Sequence, residues 1–254
     1  MGRWRALRDR LNVLLETLVF LNLAFLNLRL LNHLTMTTAL PFADERLDAW
    51  DRALGFDWIG CFEFVRDRPL LIRLFDRSYA SLTSLSILAV LILIGSGHLP
   101  RARFFLETFF VTAFLSILIG AFFPAEAAVA FLLKDPSAYR NFPVEPGIYH
   151  ISHLQSLRAA GGEILLRPSI LPGLVTFPSF HAAAGIIPCT AFFGTWAFWP
   201  VLFYSAVMIG STPIFGGHYI VDLVAGIILA VGVLTSMALH RRHRSVFAAR
   251  PRAA

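Results

Sequence analysis

The chain alternates long apolar runs with short polar connections. The runs that we expect to be membrane-spanning helices cover approximately residues 11–30, 77–97, 104–123, 179–198, 201–215 and 218–239. A helix needs about 20 apolar residues to cross about 30 Å of hydrocarbon. The runs are continuous rather than alternating, which favours helices over a β-barrel. The pattern therefore predicts an all-α polytopic membrane protein with six transmembrane helices, in a single domain over residues 1–254.

Residues 42–73 differ from these runs because apolar and acidic positions alternate at helical spacing. The apolar positions in steps of three and four are Leu47, Trp50, Leu54, Trp58, Phe62 and Val65. The acidic positions among them are Asp44, Glu45, Asp48, Asp51 and Asp57. Such an amphipathic, tryptophan-bearing segment is typical of a helix that lies in the membrane interface. We expect it on the outer side of the membrane.

Composition and charge agree with a membrane protein: 57% of the residues are hydrophobic, 15% are charged, and the formal net charge is +6. Half of the basic residues lie in three places: before the first apolar run, between the second and third runs, and after the last run. These are Arg3, Arg5, Arg8, Arg10, Arg101, Arg103, Arg241, Arg242, Arg244, Arg250 and Arg252. This positive-inside pattern predicts cytoplasmic termini in a multi-pass inner membrane protein, and no nucleic-acid partner.

Two histidines and an aspartate are the candidate catalytic residues. His218 and Asp222 are four residues apart at the start of the last run, so they share one helical face. An acid within a membrane segment faces the bundle interior or water and is a functional candidate. The predicted topology places His181 at the same outer level, where helix N-termini favour anions. Gly217, beside His218, would let a phosphate approach the backbone closely.

These residues stand in two segments that resemble motifs of the type 2 phosphatidic acid phosphatase superfamily. The segment 177–181 reads FPSFH and resembles the PSGH motif, with Pro178, Ser179 and His181 matching. The segment 211–222 reads STPIFGGHYIVD and resembles SRxxxxxHxxxD, with Ser211, His218 and Asp222 matching. The resemblance implies six membrane helices and an active site that faces the periplasm or exterior. It also implies that His218, His181 and Asp222 are catalytic, with Ser179 and Ser211 at the substrate.

Three departures from the family pattern matter. Phe180 stands where glycine is usual, Thr212 stands where most members have the phosphate-binding arginine, and the first motif, KxxxxxxRP, is absent in its normal form. Lys134, Arg140, Arg158 and Arg167 are candidates to replace the arginine, and their proximity to the motif favours Arg158 and Arg167. Taken alone, each is more typical of a solvated loop charge than of a phosphate ligand. The departures resemble the branch that contains inositol phosphorylceramide synthase, which transfers a phosphorylated headgroup between lipids.

The residue chemistry suggests a mechanism without metal or other cofactor. His218 would attack phosphorus to form a phosphohistidine, Asp222 would orient its imidazole, and His181 would serve as general acid and base. The substrate would be a phospholipid or lipid phosphate, and in a transferase a hydroxyl lipid would be the acceptor. We expect transfer between lipids at the outer leaflet, with a phosphatase for phosphatidic acid-type or polyprenyl phosphates as the alternative. A metal enzyme with His181, His218 and Asp222 as ligands, or a proton-relay transporter, are further alternatives.

Overall fold

A computed structural model describes residues 2–38, 40–135, 139, 142, 146–159 and 171–248. Its helices are α1 (Gly2–Thr35), α2 (Asp44–Ala53), α3 (Trp58–Arg66), α4 (Pro69–Ala80), α5 (Leu82–Gly95), α6 (Leu99–Gly120), α7 (Ala128–Leu132), α8 (Ile151–Ala159), α9 (Phe180–Ala191), α10 (Phe198–Phe215) and α11 (Ile220–Ala248). No strand occurs in these ranges. The predicted all-α class is confirmed for the described part of the chain.

Among the described residues, four helices are long and apolar enough to cross a membrane: α1 over Arg10–Thr35, α6, α10, and α11 over Ile220–His243. The pair α4 and α5 makes a fifth candidate, with a bend of 56° between its halves. The predicted span 179–198 is instead the 12-residue helix α9 followed by turns. Twelve residues extend only about 18 Å. The count by length is therefore four or five, and the predicted six spans are not confirmed.

The predicted boundaries of the second span and the interfacial segment also need correction. The interfacial segment is divided among α2, α3 and the first residues of α4. Gly55, with φ of +74°, ends the first helix, and Asp57 starts the next by accepting a hydrogen bond from Gly60 N at 2.9 Å. The second span, expected from residue 77, begins eight residues earlier at Pro69 and is interrupted at Ser81. Capping chemistry, rather than hydrophobic content, sets these boundaries.

Helix α9 lies at the centre of the bundle, where it packs against α6, α10 and α11. Two glycines allow these close contacts. A Cβ at Gly185 would come within 2.8 Å of Ile209 on α10, and a Cβ at Gly226 of α11 would lie 2.2 Å from the Ser179 carbonyl oxygen. Because small residues let helix backbones approach, α9 and α11 meet where α9 begins.

Helices α2 and α3, here called the α2–α3 cap, cover the N-terminal end of α11. The carboxylate of Asp51 accepts hydrogen bonds from Ile220 N and Val221 N, both at 2.8 Å. These amides are among the first-turn N–H groups that a helix leaves unpaired. The interfacial segment therefore supplies the acid that caps the last helix, next to His218.

Asp44 fixes the α2–α3 cap to two further segments. Its carboxylate accepts hydrogen bonds from Glu126 N at 2.9 Å and Ala127 N at 3.2 Å. The hydroxyl of Tyr219 also donates to Asp44, at 3.0 Å. Burial raises the pKa of Asp44 and of Asp51, while the hydrogen bonds that each accepts lower it. Two buried acids thus hold the turn before α11 in place.

Candidate active site

The His218–Asp222 pair is the most constrained part of the site. His218 Nδ1 lies 3.1 Å from Asp222 Oδ2, which also accepts a hydrogen bond from Tyr219 N at 3.0 Å. The two residues are 4% and 0% exposed. A carboxylate at Nδ1 favours the tautomer that carries its proton on that nitrogen. Nε2 then keeps the lone pair.

The turn that presents His218 is held on both sides. Gly217 has a φ of +68°, a conformation that favours glycine, and its carbonyl accepts a hydrogen bond from Ala128 N at 2.7 Å. The carbonyl of His218 accepts one from the indole of Trp58, at 3.0 Å. Residues distant in sequence therefore fix the backbone of His218, in addition to the contacts that its side chain makes.

Ser179 joins the two segments that carry the family motifs. Its backbone N–H donates to the Asp222 carbonyl at 2.9 Å. Its hydroxyl caps α9, accepting from Ala182 N at 3.3 Å, and lies 3.4 Å from His218 Nε2. The start of α9 and the start of α11 are thus linked by direct hydrogen bonding, which places His181 near His218.

His181 lies in the first turn of α9, and its ring stacks on that of Tyr79 from α4. The ring centroids are 4.1 Å apart with an interplanar angle of 11°. His181 forms no hydrogen bond with another described residue. Its ring plane is therefore set by stacking, while both nitrogens stay available to a ligand.

His181 and His218 line one cavity of about 290 Å³. Its walls come from α1, the junction of α4 and α5, α6, residues 149–150 and 171–176, the start of α9 and the turn before α11. The surfaces include Phe25, Leu28 and Phe180. Of the described residues in these walls, Arg29 on α1 is the one with a permanent charge, and none is a carboxylate. The cavity is therefore partly apolar and suited to an anion.

Burial makes two of the cavity histidines poor bases. It lowers the pKa of His218 to about 4, although the Thr176 carbonyl partly offsets this because it can accept a hydrogen bond from the protonated ring. Burial also lowers the pKa of His150 to about 4, against a hydrogen bond with the Glu126 carbonyl at 3.2 Å. Both rings are therefore neutral at pH 7, which is the form of His218 that has a nucleophilic nitrogen.

The predicted substrate-binding residues do not gather around the cavity as His181 and His218 do. The Ser211 hydroxyl donates to Met208 O on its own helix, at 2.6 Å. Gly216 lines the cavity, whereas Gly217 packs against the backbone of Gly147. The guanidinium of Arg158 contacts the Leu40 carbonyl and the Phe42 ring, and it does not line the cavity. Arg167 lies outside the described residues.

Three residues at the cavity were missed by the sequence analysis: Arg29, Tyr79 and His150. Arg29 carried a signal, because it and Glu16 are the two charged residues inside the apolar run of residues 11–30. Tyr79 and His150 carried none, since their places depend on how α4 and residues 146–159 pack against the bundle. In the described ranges, no group of three or more His, Cys, Asp or Glu side chains is arranged to hold a metal ion.

Fold and site together define an integral membrane protein with a buried histidine–aspartate pair that shares a cavity with a second histidine. The family model described as the PAP2 superfamily matches residues 45–236. The chain therefore belongs to the PAP2 superfamily, which indicates a lipid phosphatase or phosphotransferase. No curated protein sequence and no solved structure matches the chain significantly.

Proposed function

We propose that this protein is a metal-independent membrane lipid phosphotransferase that moves a phosphorylated headgroup between lipids through a phosphohistidine. The observation that carries the proposal is the convergence of His181 and the Asp222-oriented His218 on one cavity. Family membership supports phosphoryl chemistry on a lipid but is equally consistent with transfer and with hydrolysis.

In the first half-reaction, His218 Nε2 attacks the phosphorus of the donor lipid. The N–P bond forms as the P–O bond to the leaving alkoxide breaks, and His181 gives that oxygen its proton. Asp222 accepts the Nδ1 hydrogen bond, which becomes stronger as the imidazole gains positive charge. Because the phosphoryl group is transferred in two displacements, the donor and acceptor lipids do not react with each other directly.

In the second half-reaction, an acceptor hydroxyl attacks the phosphohistidine. His181, now neutral, takes the proton of that hydroxyl while the O–P bond forms and the N–P bond breaks. Water would compete at about 55 M, so a transferase must hold its acceptor in line, where effective molarities of about 10⁵ M or more are attainable. The burial of His218 and the apolar surfaces of Phe25, Leu28 and Phe180 support such an arrangement.

We further propose six membrane crossings, with both termini in the cytoplasm and the site at the outer face of a bacterial inner membrane. The sixth crossing would be the short helix α9. Arg101, at the start of α6, donates to the carbonyls of Ala191 and Phe193 at 3.2 Å and 2.9 Å. Because α9 begins at the site and ends beside the start of α6, these contacts support α9 as a crossing between the two ends of the bundle.

The test uses the purified full-length protein in mixed micelles that contain a headgroup-labelled phospholipid and a hydroxyl lipid, either ceramide or diacylglycerol. Transfer predicts a labelled lipid product that depends on the acceptor and is absent in His218→Ala. Label released only as water-soluble phosphate or phospho-alcohol, whatever the acceptor, would overturn the transferase proposal and establish the phosphatase alternative.

A further inference from the structure

Thr212 occupies the position at which the family pattern has its phosphate-binding arginine, and the structure shows that it cannot replace that arginine. Its side chain is buried, and its hydroxyl donates to Met208 O on its own helix at 2.9 Å. A phosphorylated substrate brings negative charge into a partly apolar cavity, where an unpaired charge is costly. Another cation must therefore lie within reach of the cavity.

Of the four basic candidates from the sequence, Arg140 and Arg167 lie outside the described residues, and the other two do not meet this need. Arg158 is directed to the Leu40 carbonyl and the Phe42 ring. Lys134 donates to Ala130 O at 2.9 Å and lies near the Phe131 ring. Neither residue lines the cavity.

Arg29 on α1 does line the cavity, and its guanidinium forms no hydrogen bond or ion pair with another described residue. It lies six residues before the end of α1, about 9 Å along the helix. An arginine at such a position is costly unless it faces water, a partner or a ligand. We infer that Arg29 binds the phosphate of the substrate, in place of the arginine that is missing at Thr212; this inference rests on the proposed function.

The position of Arg29 relative to His218 is fixed through one loop. Asn32, on the same face of α1, accepts a hydrogen bond from Leu174 N at 3.0 Å. Two residues later, the backbone of Thr176 lies close enough to the ring of His218 to raise its pKa. The loop of residues 171–176 therefore connects the helix that carries Arg29 with the nucleophile, and it forms the cavity wall between them.

Buried polar atoms without partners give a second, independent sign of a ligand here. Ser116 Oγ and Thr176 Oγ1 have no hydrogen-bond partner among the described residues, and their residues are only 1% and 3% exposed. Both residues line the same cavity as Arg29. Because unsatisfied buried polar groups are costly, they indicate a polar ligand. A phosphate accepts hydrogen bonds from hydroxyls and pairs bidentately with a guanidinium.

The experiment compares Arg29→Gln and Arg29→Lys with Arg10→Gln in purified full-length protein. Arg10 is a matched control, since it lies on the same helix about 28 Å from Arg29. For each variant, the inhibition constant of orthovanadate is measured, together with the KM and kcat for the phospholipid donor in the presence of a hydroxyl lipid acceptor. Loss of a charge-assisted hydrogen bond predicts a 10- to 100-fold rise in the vanadate constant and in KM for Arg29→Gln. Both constants should rise less in Arg29→Lys, and in Arg10→Gln they should stay within about 2-fold of the wild-type values.

A vanadate constant for Arg29→Gln within about 2-fold of the wild type would overturn the inference and leave Arg29 as an anchor of α1 to lipid headgroups. A rise of the vanadate inhibition constant in Arg158→Gln that equals or exceeds the rise in Arg29→Gln would also overturn the inference. If Arg29→Gln fails to fold, as judged by its melting temperature, Arg29→Lys decides, because it keeps the charge but not the bidentate geometry. A wild type that binds vanadate but turns over no lipid would contradict the proposed function alone.

Discussion

The two candidate catalytic histidines of the cavity, His218 and His181, are held in different ways. His218 has a partner at each ring nitrogen: Asp222 at Nδ1 and, more distantly, the Ser179 hydroxyl at Nε2. His181 has no hydrogen-bond partner among the described residues and is held by the face of Tyr79. One ring is fixed by directional bonds, and the other by stacking alone.

This difference agrees with the two proposed chemical roles, His218 as nucleophile and His181 as general acid and base. A nucleophile must offer one defined nitrogen, so a fixed tautomer is an advantage. A general acid and base must exchange its proton with the leaving group and then with the acceptor, so a permanent partner at its nitrogens would compete with the substrate. Stacking restricts the ring plane without occupying a nitrogen.

Removal of the nucleophile should have the largest effect. His218→Ala should abolish turnover and leave no phosphoenzyme, because no other group forms the N–P bond. Asp222→Asn should keep the ring but lose the preference for the productive tautomer, at a cost of about 10³- to 10⁴-fold in kcat. The intermediate is measured as ³²P bound to the protein after incubation with labelled substrate and an alkaline detergent quench, because a phosphohistidine is hydrolysed in acid. A labelled His218→Ala protein would exclude His218 as the nucleophile.

Replacement of His181 should separate the two roles. His181→Gln should reduce kcat for a lipid alkoxide leaving group by about 10²- to 10⁴-fold, the usual range for a general acid or base. With an aryl phosphate, whose leaving group needs no proton, the first step should survive and the phosphoenzyme should accumulate. The measurement is the labelled fraction at steady state relative to wild type. Equal losses on both substrates, without accumulation, would contradict the acid–base role.

The buried His218 should also give a pH-dependent stability. Its pKa in the folded protein is about 4, below the usual value near 6.5, so the unfolded chain binds more protons between these values. The free energy of unfolding therefore falls as the pH decreases from 6.5 to 4, by up to about 1.4 kcal/mol per pH unit for one proton. Melting temperatures of wild type and His218→Gln should converge on acidification.

The comparison with His218→Gln is needed because other buried groups titrate as well. Burial lowers the pKa of His150 and raises the pKa of Asp44 and Asp51, and the two acids act in the opposite direction. These groups are present in both proteins, so the difference in slope isolates His218. Parallel melting curves from pH 6.5 to 4.5 would show that its pKa is not depressed.

The smallest expected effect concerns the stacking partner of His181. Tyr79→Phe keeps the aromatic face and should lower kcat no more than about 3-fold, whereas Tyr79→Leu removes it. Aromatic pairs contribute about 0.5–1.5 kcal/mol, which predicts a loss of about 3- to 10-fold for Tyr79→Leu. Steady-state kinetics on the lipid substrate measure both variants. If kcat falls as much in Tyr79→Phe as in Tyr79→Leu, then the hydroxyl of Tyr79 supports activity rather than its stacked ring.

The sequence by itself determined the membrane class and the catalytic candidates. Continuous apolar runs predict helices because the backbone must satisfy its own hydrogen bonds in lipid. The four-residue spacing of His218 and Asp222 is local, so the helix that forms there brings the two side chains together without help from the rest of the fold. The amphipathic pattern of residues 42–73 likewise predicted helices, although not where each one ends.

Tertiary structure alone decided which residues from distant segments share the cavity. Gly226 lets α11 meet the start of α9, and Asn32 ties α1 to the loop beside His218. These contacts bring Arg29 to the site, whereas Arg158, nearer to the motif in sequence, contacts Leu40 instead. The physical reason is that helical periodicity acts over a few residues, whereas the cavity depends on packing between helices more than a hundred residues apart.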